Sequence, residues 1–224
     1  MRGIFVTGTG TGVGKSVVAA AICAALAARG QKVAAFKPVV TGVGGQPPAA
    51  WPADHELLAA AAGGGQAPGH VTPYTFREPV SPHFASQLEG RAIEPARIRA
   101  AAAKAASGAD VLVCEGVGGL LVPLTPTYSV RDLAVELKLP VLVAARTGLG
   151  TINHSLLTVE SALAAGLRVA GLVMSPWPER PEPIERSNRE TLERLTGLPV
   201  SCLGPTTPAE LAQAGQTLPI ADWL

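Results

Sequence analysis

Apolar residues along this chain fall into two alternating patterns. Short unbroken runs at Gly3–Val6, Val33–Phe36, Val111–Cys114, Val141–Ala144, Val169–Met174 and Val200–Leu203 read as strands covered on both faces. Val71–Phe76 reads as a further, shorter strand. Between these runs lie segments of helical character: Lys15–Ala28, Asp54–Ala61, Pro95–Ser107, Val130–Leu137, Ile152–Ala164 and Ile184–Leu195. Arg29 and Gly30 give the first of them a C-terminal cation and a capping glycine. Strand and helix in alternation predict an α/β fold, a doubly wound, mostly parallel sheet flanked by helices. A length of 224 residues fits one domain, spanning residues 1–224.

Composition narrows the partners. The chain carries 18 basic and 17 acidic residues, a net charge of +1 with no basic stripe, so neither nucleic acid nor an anionic membrane is expected. The longest apolar run, Val17–Ala28, is shorter than the roughly 20 residues of a membrane span. The N-terminus runs straight into a strand, so no signal peptide is expected. The 3 cysteines, Cys23, Cys114 and Cys202, are widely spaced and odd in number, which suits small buried side chains in a reducing compartment. The scattered histidines, His55, His70, His83 and His154, make no metal-ligand spacing. A cytoplasmic protein is expected.

The first strand and first helix are joined by GTGTGVGKS, Gly8–Ser16. Strand, glycine-rich loop and helix in this order make a phosphate cradle, and the fold is expected to be P-loop NTPase-like. Unpaired amides and the positive end of the helix dipole face the anion, while glycines allow close approach. Lys15 then reaches the β and γ phosphates and the Ser16 hydroxyl is placed for Mg²⁺. In the general motif four residues separate the first glycine from Gly-Lys. Here Thr9 stands at that place and the glycine is Gly8, so five residues intervene.

In a doubly wound sheet, ligands bind beyond the carboxyl ends of the strands. Lys37 closes the second strand, where a second cation can face the γ phosphate. Glu115 closes Val111–Cys114 and suits Mg²⁺ or its water shell, and the glycines after it allow close approach of nucleotide or substrate. Asp54 opens a helix, and its position fits an N-cap as well as a second Mg²⁺ carboxylate. GLGTINH (Gly148–His154) follows another strand and opens a helix. Its free amides offer a second anion site, or Thr151 simply caps the helix. Three Gly/Pro-rich loops, Gly42–Pro52, Gly63–Gly69 and Pro176–Pro183, read as connections. The first and third leave strand ends, so they are expected to rim the site.

These pieces together resemble a known family. VTGTGTGVGKS, FKPVVTG, EPVSPH (Glu78–His83), CEGVGGLLVPL and LGTINHSLLT (Leu149–Thr158) occur in the order found in the dethiobiotin synthetases, and the five-spacer loop is itself a mark of that family. The last fifty or so residues carry no such match. The resemblance implies a Mg²⁺- and ATP-dependent carboxylation of 7,8-diaminononanoate with CO₂ or bicarbonate. A carbamate forms on one amine and takes the γ phosphate as a carbamic–phosphoric anhydride. Closure of the ureido ring then expels phosphate.

It also implies roles. Lys37 and Lys15 are catalytic, with Lys37 on the carbamate and the phosphoryl group in transfer. Gly12, Val13, Gly14, Lys15, Ser16 and Val17 wrap the phosphates. Ser16, Asp54 and Glu115 hold Mg²⁺, and Gly116, Val117 and Gly118 border the nucleotide. Thr11 and Thr41 contact the diamine. Gly150, Thr151, Ile152 and Asn153 take its distal carboxylate, and because the family supplies that contact from the neighbouring subunit, a homodimer is implied.

The departures lie at the base. Relatives often carry an asparagine after the strand Val169–Met174, where this chain has Ser175 and Pro176. Neither offers a carboxamide, and Pro176 has no N–H. Pro205, Thr206 and Thr207 are expected to edge the base pocket. ATP remains the expected nucleotide, with CTP or another nucleoside triphosphate left open. Two other readings share the phosphate loop. A partitioning or switch ATPase would carry an extra lysine where this chain has Gly10. A cobyrinate-type amide synthase would need a glutaminase domain for which 224 residues leave little room.

Overall fold

A computed structural model of the chain describes residues 2–45 and 51–224. The part of the first Gly/Pro-rich loop at residues 46–50 lies outside them. Strands β1 (Gly3–Gly8), β2 (Val33–Phe36), β5 (Val111–Glu115), β8 (Val141–Ala145), β9 (Val169–Met174) and β10 (Val200–Cys202) form one six-stranded sheet in the order β10-β9-β8-β1-β5-β2. All of its pairings are parallel. Two small ribbons lie apart from it: β3 (Val40–Thr41) with β4 (Thr75–Phe76), and β6 (Pro123–Thr125) with β7 (Tyr128–Ser129).

The continuous apolar strands are explained by helices on both faces. On one side α1 (Lys15–Ala28), α2 (Asp54–Ala62), α9 (Leu211–Gln216) and α10 (Ile220–Trp223) pack on Ile4, Val6, Val113 and Ala144. On the other, α5 (Pro95–Ala106), α6 (Val130–Leu137), α7 (Thr151–Ala164) and α8 (Pro183–Thr196) pack with Phe5, Leu112, Val143 and Leu172. Alternate residues of each strand thus serve opposite layers. The short helices α3 (Pro68–Val71) and α4 (Pro82–Leu88) complete the chain order.

Two expectations change. The run Val71–Phe76 is not one strand: Val71 ends α3 and only Thr75–Phe76 pairs. Pro73 has no N–H to offer a ladder there, and the Val71 carbonyl accepts instead from the Lys37 amide at 2.8 Å. The last fifty residues, silent in motif, supply α9 and α10. Gly215 sits so close to α1 that a Cβ on it would stand 2.1 Å from the Ala21 carbonyl oxygen. Trp223, 1 % exposed, closes the same layer.

Candidate functional site

The site is set by sheet order. β1 ends in the glycine-rich loop, and its neighbour β5 ends in Glu115, which lies opposite Val6 in the pairing. β2 lies beyond β5 with Phe36 opposite Cys114, so the next residues along, Lys37 and Glu115, emerge side by side although far apart in sequence. Parallel register alone brings these two charges together.

The loop's geometry explains its glycines. A Cβ at Gly8 would stand 2.6 Å from Val13 Cγ2 and 2.9 Å from Lys15 Cγ. Gly12 and Gly14 adopt φ of 69° and 88°, a region costly for side-chain-bearing residues. Gly14 is also the N-cap of α1, which has no side-chain cap, so the helix presents open amides. Lys15 is almost buried, and its Nζ donates to the Gly10 carbonyl at 2.6 Å. Burial pulls the Lys15 ammonium below its ordinary value, against the attraction of Glu115.

Four groups converge beside the loop. Lys37 Nζ donates to Glu115 Oε1 at 2.6 Å and also to Asp54 Oδ2. The Ser16 hydroxyl donates to the same Glu115 Oε1 at 2.8 Å. Lys37 is 4 % exposed and Glu115 0 %. Burial works against the Lys37 charge, but Glu115 and Asp54 together outweigh it and raise the ammonium above its usual value. Burial raises the Asp54 carboxyl too, yet Lys37 reverses that and leaves it below the usual range. For Glu115 burial dominates and lifts the carboxyl, with Lys37 opposing. Asp54 is the first residue of α2 rather than its cap, since the N-cap is Ala53; its carboxylate turns to Lys37.

A cleft of about 570 Å³ opens over these groups. Thr11, Gly12, Gly14, Lys15, Ser16, Val17, Lys37, Thr41, Asp54, Glu115, Val117 and Gly118 line it. Val13 is buried beneath the loop. Gly116 lies below the cleft, packed so that a Cβ would come within 3.0 Å of Val130 Cγ1. Sequence reasoning assigned no role to Pro79, Val80, Ser81 and Pro82, which form the far wall ahead of α4. The EPVSPH motif was their only signal. A larger hollow of about 850 Å³ lies along edge strand β2 and the Gly63–Gly69 loop, away from the phosphate loop.

The donor set suits Mg²⁺. A serine hydroxyl and two carboxylates are hard oxygen ligands, few enough to leave positions for water and phosphate oxygens. Glu115 Oε2 is buried and has no hydrogen-bond partner among the described residues, which marks a polar group with capacity left over.

Other expected residues lie outside the cleft. Gly150, Thr151, Ile152 and Asn153 follow β8, on the opposite side of β1 from Lys37. Thr151 does not cap α7: the N-cap is Gly150, and the buried Thr151 hydroxyl donates to the Arg146 carbonyl at 2.6 Å. Its amide donates to the Gly148 carbonyl at 3.3 Å, so the Ile152 and Asn153 amides are the ones left for an anion. Asn188 of α8 fixes this turn from below, donating to the Thr147 and Gly148 carbonyls at 2.8 and 3.1 Å. Leu149 at its tip is 94 % exposed.

Ser175 is 3 % exposed and stands behind the loop, its Oγ 3.3 Å from where a Gly14 Cβ would be. Pro176 follows at the end of β9. Pro205 and Thr206 border a separate cleft of about 300 Å³ together with Glu210 and Gln213, two residues that sequence reasoning did not select. Thr207 flanks it, its hydroxyl donating to Glu210 Oε2 at 2.8 Å.

A family model described as an AAA domain matches residues 2–209. The chain is 42% identical over 219 residues to the ATP-dependent dethiobiotin synthetase BioD of Anaeromyxobacter dehalogenans strain 2CP-C, covering 97% of this chain and 96% of that one. It is 38% identical over 216 residues to the protein of the same name from Bacillus licheniformis, covering 96% and 90%. For that of Bacillus subtilis strain 168 the identity is 34% over 205 residues, covering 92% and 87%. Among solved structures, a ParA family ATPase from Chlorobium tepidum TLS superposes with a TM-score of 0.53 at 15% identity, covering 96% of this chain and 90% of that one. The MinC:MinD cell division protein complex of Aquifex aeolicus gives 0.56 at 14%, covering 98% and 88%. These two likenesses show the fold alone. The curated relatives, matched along nearly the whole chain including the stretch without motifs, show that it belongs to the ATP-dependent dethiobiotin synthetase family.

Proposed function

We propose that this chain forms dethiobiotin from 7,8-diaminononanoate, CO₂ and a nucleoside triphosphate. The observation that carries the reading is Lys37, a buried ammonium at a strand end that faces the phosphate loop across a cleft containing Thr11 and Thr41. One amine of the substrate adds to CO₂ and loses a proton, giving a carbamate. A carbamate oxygen attacks the γ phosphorus and displaces the nucleoside diphosphate. The second amine then attacks the carbamate carbon, closes the five-membered ring and releases inorganic phosphate.

In this reading the Gly8–Ser16 loop grips the polyphosphate, and Lys15 leaves the Gly10 carbonyl for a phosphate oxygen. Lys37 stabilises negative charge that builds on the carbamate and the phosphoryl oxygens, where a preorganised donor acts most strongly. Ser16, Asp54 and Glu115 would hold Mg²⁺, which supplies charge neutralisation at the phosphates when bound. The walls from Pro79 to Pro82 exclude water from an anhydride that water would destroy. The substrate's distal carboxylate is taken by the Ile152 and Asn153 amides of a second copy of the chain, so the working unit is a homodimer. The exposed Leu149 tip and the separation of that turn from the cleft support this arrangement. The enzyme acts in the cytoplasm. Its base site is formed by Ser175, Pro176, Pro205, Thr206 and Thr207, with ATP as the nucleotide and CTP as the main competitor.

A switch ATPase shares the fold but not the loop chemistry. Gly10 has no side chain to reach a partner's phosphates, and its carbonyl serves Lys15. The deciding experiment supplies purified protein with bicarbonate, Mg²⁺ and nucleotide, with and without the diamine. Phosphate release should depend on the diamine and match the ureido product formed. Release at the same rate without the diamine would sink the synthetase reading.

A further inference from the structure

Lys37 is asked for two things that its position does not permit at once. A lysine that steadies a phosphoryl group in transfer has to point its protons at that group. Here its ammonium is held by Asp54 Oδ2 and Glu115 Oε1, the latter at 2.6 Å. Those two oxygens belong to the same carboxylates that would hold the divalent cation. Glu115 Oε1 is also the acceptor for Ser16, the third member of that donor set, at 2.8 Å. Two donors therefore share one carboxylate oxygen, while Glu115 Oε2 has none among the described residues.

A monovalent ammonium and a divalent cation cannot share this place. Glu115 is wholly buried, and like charges a few ångströms apart in so poorly screened a setting repel strongly. Two carboxylates carry charge enough for one divalent ion, or for one ammonium with a hydrogen-bonded hydroxyl, but not for both. Lys15 stands close by with its own positive charge, which sharpens the competition.

We infer that Lys37 and the divalent cation are alternative occupants of the Asp54–Glu115 pair, so that binding of the cation is what delivers Lys37 to the reacting groups. The inference rests on the reading above, in which Lys37 serves the carbamate and phosphoryl group. It adds an order of events. Lys37 offsets the charge of the wholly buried Glu115 and pairs with the half-exposed Asp54 while no divalent ion is there. The cation, arriving on the nucleotide, takes those carboxylates and releases the ammonium into a cleft that now contains its anionic target. The ammonium becomes available only when the phosphates are loaded.

The test is metal binding, with no diamine present. Mn²⁺ is titrated into nucleotide-free protein and free ion is counted by electron paramagnetic resonance. Lys37→Met keeps the length of the side chain and removes its charge, and it should bind Mn²⁺ about ten-fold or more tightly than the wild type. Lys37→Arg, which keeps a cation on the carboxylates, should bind as weakly as the wild type. Equal or weaker Mn²⁺ binding by Lys37→Met would overturn the exchange. A wild-type measurement guards against a variant that fails to fold. In protein labelled with ¹⁵N-lysine, the Lys37 ammonium signal should move on adding Mg²⁺ with a non-hydrolysable nucleotide and stay in place with the nucleotide alone. A signal that moves equally in both cases would refute the coupling. Neither result bears on whether phosphate release needs the diamine, so the two readings can fail separately.

Discussion

Lys37→Ala separates what the lysine does for the fold from what it does for the reaction. The substitution removes the ammonium and strands two carboxylates. Asp54 is 42 % exposed at its side chain and can be hydrated, so its share of the penalty is small. Glu115 is 0 % exposed and lies 2.6 Å from the lost nitrogen, so its charge has nowhere to go. Breaking a buried pair by deleting one partner costs about 3–5 kcal/mol, and the open cleft argues for the lower figure. In a chain of this size each kcal/mol lowers Tm by about 2–4 °C, which gives a fall of about 6–12 °C. Adding Glu115→Gln removes the stranded charge and should recover more than half of that loss. Turnover should fall by about 10²–10³, as expected when one preorganised donor is removed, with nucleotide affinity changing far less. Scanning calorimetry on the single and double variants, nucleotide titration and single-turnover phosphate release measure each part. A Lys37→Ala protein that melts with the wild type, or melts lower still once Glu115→Gln is added, would show that this pair is not what the lysine balances. Near-normal turnover would remove it from the chemistry.

Three further outcomes are expected. Gly215→Ala pushes a Cβ to 2.1 Å from the Ala21 carbonyl oxygen, backbone that cannot rotate away, so α9 must shift; calorimetry should show a loss of about 1–3 kcal/mol. With Ser175 packed beside Gly14 and no carboxamide at that position, ATP should outcompete CTP by less than about ten-fold, the worth of one net hydrogen bond. Selectivity far beyond that in a competition assay would mean that other contacts read the base. In the α6 cap, the Ser129 hydroxyl and amide donate to Asp132 Oδ2 at 2.6 and 2.7 Å, and these bonds hold the Asp132 carboxyl below its ordinary value. A lowered folded value means stability that is present above the ordinary aspartate value and lost as pH falls through the lowered one. The stability gap between wild type and Asp132→Asn should therefore close in that acid window, and a gap that persists below it would count against the cap.

Much of the site was legible because its chemistry sits at strand ends. A lysine or glutamate that closes an apolar run in a parallel sheet is placed at the ligand edge by the fold itself, and Lys37, Glu115 and the Gly8–Ser16 loop met there as expected. Asp54 was ambiguous in sequence because first-turn and cap positions differ by one residue; its turn toward Lys37 depends on a contact between distant elements. The alternative reading of Thr151 as a cap failed for a related reason. A threonine at a helix start reads as a cap, but here Gly150 takes the cap in a left-handed conformation and the hydroxyl is spent on Arg146. Glu210 and Gln213 carry no local pattern that distinguishes a cleft wall from any loop, and the Pro79–Pro82 wall carries only the EPVSPH motif. The strand read at Val71–Phe76 failed because apolar character outweighed Pro73 in the reading, whereas the missing N–H decides in the fold.

The seat of Gly215 on α1 has a consequence for how the protein is made. Helix α1 leaves the ribosome well before α9 and α10, which close the face that backs the phosphate loop. At about 5–20 residues per second, an interval on the order of ten seconds or more passes with that alanine-rich surface uncovered. A nascent chain therefore exposes Ala21, Ala25 and their neighbours to chaperones until residues 211–223 arrive. Release of a chaperone from the early chain, followed as a function of chain length, should wait for that segment.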